Sequence, residues 1–210
     1  MGATPADTTS TGSAPETSEE ASSEDRLLRA ATDLFSDVGY EATRTRDIST
    51  RAGMSPAALY VHFPSKEELL FRLILRSTER SLAIVTDAVE AHTEPVDRIR
   101  ALVREFSKVH ATKYQRARIA QYERRHLTPE HREAVSEIRR QIRLVTLREL
   151  QAGIDRGDFL VDDPRVAGLA IMSLCADICR WYRPDGEFTP DELGNINADL
   201  VLRILRVPGY

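Results

Sequence analysis

Two clusters of side chains in the first third of the sequence have the chemistry to hold anions. Thr43, Arg44, Thr45 and Arg46 supply hydroxyl and guanidinium groups in one run. Ser55, Pro56 and Ala57 follow just after Gly53, and Tyr60, His62 and Lys66 come next. Hydroxyls, guanidinium groups and free helix N–H groups suit phosphate oxygens, and small side chains let a backbone approach a base edge or a thymine methyl. Residues 42–56 hold Arg44, Arg46 and Arg51 against Asp47, a local charge of +2. Nothing comparable serves catalysis. There is no CxxC pair, glycine-rich phosphate loop, HExxH segment or Ser-centred nucleophile elbow. His126 and His131 lie five apart across a Pro129 helix start, which is not the one-face spacing of a metal pair, and His62, His92 and His110 are isolated. No enzyme, cofactor or metal is expected.

The elements that must position these side chains are helices. Leu27, Leu28, Ala31, Leu34, Phe35 and Val38 recur at three- and four-residue spacing and stop at Gly39. A short helix over about 46–52 is expected next, with Thr45 as its cap and Gly53 as its stop. Another follows over about 56–62, capped by Ser55, with Pro56 in its first turn. Pro64 ends it. Ser65 and Glu68 then form a capping box for a long helix to about Ala91. Further helices are expected over about 95–111, 114–126, 129–152 (ended by Gly153), 164–182 and 190–206. Strand alternation is absent, so the fold class is all-α with about nine helices. The two short helices around Gly53-Met54-Ser55 form a helix-turn-helix, whose second member reads the major groove while the first crosses the backbone.

Charge weighs against indiscriminate nucleic-acid coating. The 210-residue chain has a formal net charge of −4. Residues 1–25 hold six acids and no base, which leaves the remainder at +2. Residues 1–23 also contain ten Ser or Thr and none of Leu, Ile, Val, Phe, Tyr or Trp, so they read as a disordered acidic tail. The expected organisation is tail 1–23, DNA-binding unit 24–70 and a second helical unit 71–210. Only Cys175 and Cys179 are present, one helical turn apart. That rules out a disulfide framework and suits a reducing cytosol. No apolar run approaches the ~18 residues of a membrane helix, so no membrane partner is expected.

Residues 45–70 resemble the TetR family of bacterial transcriptional regulators. The resemblance rests on Arg46-Asp47-Ile48, Ala52-Gly53, Leu59-Tyr60, His62-Phe63 and Ser65-Lys66-Glu67-Glu68-Leu69. Pro56-Ala57 departs from many members near the recognition-helix start. The resemblance implies a homodimer on a double-stranded, near-palindromic operator, and a small-molecule effector held by helices of about 71–207. It also implies that the last two long helices pair with those of a second copy. The apolar run 166–178 and the stripe Leu193, Ile196, Leu200, Val201, Ile204 and Leu205 independently suit such packing. A repressor released by its effector is the expected function, with an activator of the same fold, or a helical ligand-binding module without DNA binding, as alternatives.

Within the second unit, Phe106, His110, Tyr114, Tyr122 and Met172 mix apolar bulk with polar tips, as a ligand pocket needs, and Arg118 suits an anionic head group. Arg116, Arg124, Arg125 and His126 extend that basic run. The segment Arg180-Trp181-Tyr182-Arg183-Pro184-Asp185-Gly186 resembles the helix ending of TetR regulators that respond to acyl-CoA thioesters, which implies such an effector. As residues alone, the same segment reads as an aromatic anchor at a helix stop.

Overall fold

A computed structural model describes residues 22–210. The tail expected over 1–23 lies, up to residue 21, outside the described residues. All described secondary structure is helical. The order is α1 (Ser23–Val38), α2 (Thr45–Arg51), α3 (Pro56–His62), α4 (Lys66–Glu90), α5 (Pro95–Thr112), α6 (Tyr114–Tyr122), a 3-10 turn (Glu123–His126), α7 (Pro129–Arg156), α8 (Pro164–Ala176), α9 (Ile178–Trp181) and α10 (Pro190–Ile204).

The starts follow local chemistry. Hydroxyls of Ser22, Ser55, Ser65, Thr128 and Thr189 each accept a backbone N–H of the first turn they precede. Proline opens α3, α5, α7, α8 and α10, where its missing N–H is harmless. Four boundaries differ from expectation, the first being that the helix expected over 114–126 gives way after Tyr122 to the 3-10 turn. Thr45 is the first residue of α2, and Arg44 takes the cap position without a side-chain bond. The helix expected over 164–182 breaks at Asp177 into α8 and α9. The helix expected to stop at Gly153 continues to Arg156 and ends at Gly157, whose φ of 80° is the left-handed cap conformation.

Gly153 is instead a packing glycine. Its missing Cβ admits the ring of Phe159, which folds back beneath α7 and is buried.

Two hydrophobic cores share α4. The first joins α1, α2 and α3 to the leading half of α4 (Leu69, Leu70, Leu73, Ile74), and it reaches beyond residue 70 to Ile119, Leu127 and Val135. The second joins the trailing end of α4 (Val85, Val89) to α5, α7, α8 and α10. No described helix is long and apolar enough to cross a membrane.

A Gly153→Ala substitution decides between two effects. Alanine favours a helix interior by about 1 kcal/mol. Overpacking a core costs about 1–3 kcal/mol. Here the new methyl would overlap a buried aromatic ring, so a net loss is expected. Thermal unfolding checks it, and an unchanged or higher melting temperature would refute the packing role.

Candidate functional site

The reading head is built around α2 and α3. Gly53 turns the chain between them at φ 65°, a conformation that favours glycine. The Arg26 guanidinium of α1 donates to the carbonyl of Ala52 at 2.6 Å, closing the free end of α2. A Cβ on Gly53 would press on that guanidinium. Ile48, Leu59 and Phe63 point inward and fix both helices on the first core.

The outer face brings together most of the residues expected to meet DNA. Arg44, Arg46, Ser55, Pro56, Ala57, Tyr60 and His62 are exposed, and Thr45 is half-buried. The Tyr60 hydroxyl lies 3.1 Å from the Thr45 hydroxyl, tying the two helices at their outer edge. Ser55 also caps α3 through its hydroxyl. Val61 shares the face at 81% exposure and was not anticipated. An apolar residue beside the expected readers carried no signal in sequence.

Two of the residues expected to reach phosphates have partners within the head. The Lys66 ammonium donates to the carbonyls of Tyr40 and Thr43, both at 2.9 Å, and sits over the Tyr40 ring. Burial lowers its pKa. Thr43 is buried, and its hydroxyl donates to the Gly39 carbonyl at 2.7 Å. Both residues brace the loop before α2, Thr43 buried and Lys66 half-buried. Arg51 is paired with Asp33 at 3.2 Å.

The second candidate site is a cavity of about 640 Å³. It lies between the two cores, bounded by α1, α4, α5, α6, α7 and α8. Leu28, Leu73, Phe106, Val109, Ile142 and Met172 supply apolar wall. The polar wall is basic: Arg29 from α1, Arg76 and Arg80 from α4, Lys113 and Arg116 around α6, and Arg139 and Arg143 from α7. Asp25 is the single acid among the lining residues.

The cations differ in engagement. Arg139 donates to Gln121 at 2.8 Å, and burial, then Arg124 and Arg143, lower its pKa. Arg76 holds Glu24 at 2.7 Å and Asp25 at 3.0 Å, linking α4 to the first turn of α1. Hydrogen bonds from the Ser22 hydroxyl and then Arg76 keep the Asp25 carboxyl below its usual range.

Of the expected ligand residues, Phe106, His110 and Met172 line the cavity, and Tyr114, Arg118 and Tyr122 do not. Arg118 donates to the Cys179 carbonyl at the end of α9. Tyr114 packs on buried Tyr182. Tyr122 borders a shallower hollow of about 510 Å³ with Trp181, sharing Gln121, Ser173 and Ala176 with the main cavity. Of the extended basic run, only Arg116 reaches the main cavity. The cations at 76, 80, 139 and 143 were missed. Their i, i+4 spacing does put each pair on one helix face.

His110 is buried and its Nδ1 lies 2.7 Å from the Phe106 carbonyl. Burial pushes its pKa down to about 4. Burial also pushes the Cys175 thiol up to about 12 and Cys179 to about 11, so neither is a thiolate at neutral pH. Glu67 accepts from the Thr128 backbone N–H at 2.9 Å and lies 3.0 Å from His131, clasping the starts of α4 and α7.

Comparison with known proteins covers both sites. Residues 27–73 match the family model described as bacterial regulatory proteins, tetR family. Residues 92–205 match the model described as tetracyclin repressor-like, C-terminal domain. The HTH-type transcriptional repressor KstR2 of Mycobacterium tuberculosis is 31% identical over 180 residues, covering 84% of this chain and 89% of its own. A solved tetR-family regulatory protein from Rhodococcus RHA1 superposes with a TM-score of 0.83 at 35% identity, covering 89% of this chain and 98% of that one. AibR, solved with isovaleryl coenzyme A and operator DNA, superposes with a TM-score of 0.77 at 25% identity, covering 88% and 98%.

Lys66→Met keeps the aliphatic stem and removes the ammonium. Hydrogen bonds to charged groups contribute about 1.5–3 kcal/mol. The melting temperature should fall by a few degrees, whereas Arg46→Met should leave it unchanged. Scanning calorimetry of the two variants checks this, and equal behaviour would contradict the division into loop-holding and outward-facing cations.

Proposed function

Because the chain belongs to the TetR family of bacterial regulatory proteins, we propose that it represses transcription and is released from its operator by an acyl-CoA thioester. It is a DNA-binding transcriptional regulator, not an enzyme. The single observation that carries the effector is the cavity, with seven cations against one acid around an apolar floor. Phosphate groups of a CoA suit the cations by charge-assisted hydrogen bonds, and an acyl chain suits Leu73, Phe106 and Ile142. Trp181, within the acyl-CoA-type helix ending, borders the contiguous hollow. AibR, of the same fold, binds isovaleryl coenzyme A.

The DNA contact is assigned to Arg44, Thr45, Arg46, Ser55, Pro56, Ala57, Tyr60 and His62. The working form is a homodimer. Val166 and Leu169 of α8 and Ile196, Leu200 and Ile204 of α10 are exposed apolar residues in the single chain, at 40–62% exposure. Pairing these helices with a second copy removes them from water. It also sets two recognition helices about 34–36 Å apart, one turn of DNA.

Arg76 supplies the link from effector to DNA. Its pairs with Glu24 and Asp25 are partly exposed, so each contributes at most about 1 kcal/mol. A phosphate entering the cavity competes for the same guanidinium and frees the first turn of α1. The effector thereby favours a head orientation that no longer fits the operator, and operator binding disfavours the effector by the same factor.

Two measurements test this. On genomic fragments selected by the protein itself, saturating octanoyl-CoA should lower DNA affinity at least tenfold. Glu24→Gln with Asp25→Asn should raise octanoyl-CoA affinity and weaken DNA binding without ligand; no gain in ligand affinity would remove the competition for Arg76. For the dimer, Leu200→Glu should shift sedimentation equilibrium toward single chains and reduce operator affinity, and an unshifted mass would reject the α8–α10 pairing.

A further inference from the structure

The cavity's cations are hydrogen-bond donors only, because Arg and Lys carry no acceptor. Its floor is apolar. The wall hydroxyls of Thr32 and Thr78 donate to the Leu28 and Ile74 carbonyls at 2.7 and 2.8 Å, so their protons are spent within their own helices. Beside these hydroxyls and the Asp25 carboxylate held by Arg76, one nitrogen-bearing lining group is also fixed in the opposite sense to the cations.

That group is His110. It is nine-tenths buried on α5 and lines the cavity. Its Nδ1 faces the Phe106 carbonyl, which only accepts, so Nδ1 carries the ring proton. Burial keeps the ring neutral. Nε2 is therefore a bare acceptor. Among the described residues, no fully buried side-chain N or O atom lacks a partner. Nε2 has no partner among the described residues, so it is not sealed off, and the open space beside it is the cavity that His110 lines. A ligand that displaces water there must bring a donor. A ligand that presents an acceptor meets a lone pair.

We infer that His110 is a specificity residue: its Nε2 accepts a hydrogen bond from an N–H or O–H group of the effector. The inference rests on the acyl-CoA reading and sharpens it. The cations hold the phosphates, and His110 reads a neutral donor further along the molecule. A CoA thioester offers two sources of that donor, the amide N–H groups of its pantetheine arm and a hydroxyl on a hydroxylated acyl chain. The thioester carbonyl, an acceptor, is kept from this position.

The test uses the full-length protein and three probes: octanoyl-CoA, 3-hydroxyoctanoyl-CoA, and adenosine 3′,5′-bisphosphate, which keeps phosphates and lacks the arm. His110→Phe preserves a ring and removes the acceptor. Calorimetry should show roughly tenfold weaker binding, the effect of an unsatisfied donor. Loss with both thioesters identifies the amide as source; loss with the hydroxylated one alone identifies the hydroxyl. Bisphosphate binding should match the unsubstituted protein. Affinity for both thioesters within about twofold of the unsubstituted protein's overturns the inference.

Nitrogen-15 shifts of His110 in the unsubstituted protein give a readout that does not depend on the variant's folding. Nε2 should be unprotonated without ligand and shift toward a hydrogen-bonded value on adding the thioester. A protonated Nε2, or no movement at saturation, also overturns it. If the unsubstituted protein binds neither thioester, the acyl-CoA reading itself fails, and the titration shows this before any variant is made.

Discussion

The structure depends on one helix serving two hydrophobic cores. The leading half of α4 is bound into the head by Leu69, Leu70, Leu73 and Ile74, and its trailing end into the body by Val85 and Val89. Between these anchors the helix turns polar side chains, Arg76, Ser77, Arg80 and Ser81, toward the cavity. Packed cores resist deformation, so displacement concentrates where packing stops. The cavity sits at that place. A ligand there touches α1 of the head and α5, α7 and α8 of the body at once, so it is sensitive to how the two are set.

Charge has three separate uses in this molecule, and burial distinguishes them. Arg44 and Arg46 stand in water on the outer face of the head. Arg26 and Lys66 point their charged groups inward, onto carbonyls at a helix end and in a tight loop. The cavity cations face one another around a hollow, and Arg139 shows the consequence in a pKa lowered by burial and by its basic neighbours. Such mutual repulsion is relieved by an anion. The head's outer face and the cavity are both basic, and one arginine, Arg76, connects the second to the helix that supports the first.

The reading head was largely legible in the sequence. Helix starts at Ser55, Ser65 and Thr128 were local chemistry, and Gly53 marked the turn, because capping and left-handed backbone are decided within a few residues. The cavity was legible only in part. Of the residues suspected from their chemistry, Phe106, His110 and Met172 line it, whereas Tyr114, Arg118 and Tyr122 do not. Periodicity says which residues share a face of one helix. It does not say which other helix that face meets.

Gly153 and Lys66 make the division plain. In sequence, a glycine near the end of a helical pattern is a stop, and a lysine after a recognition helix is a phosphate contact. In the fold, Phe159 needs the space that Gly153 leaves, and the carbonyls of Tyr40 and Thr43 need the proton donors of Lys66. The sequence by itself determined the helices, their caps, the helix-turn-helix and the basic character of the head, all of which arise from interactions within a turn or two of the chain. Only the tertiary structure decided which cations meet solvent, which tie loops and which surround the cavity. The identity of a side chain's partner depends on residues far away in sequence, and for a charged group the partner sets the role.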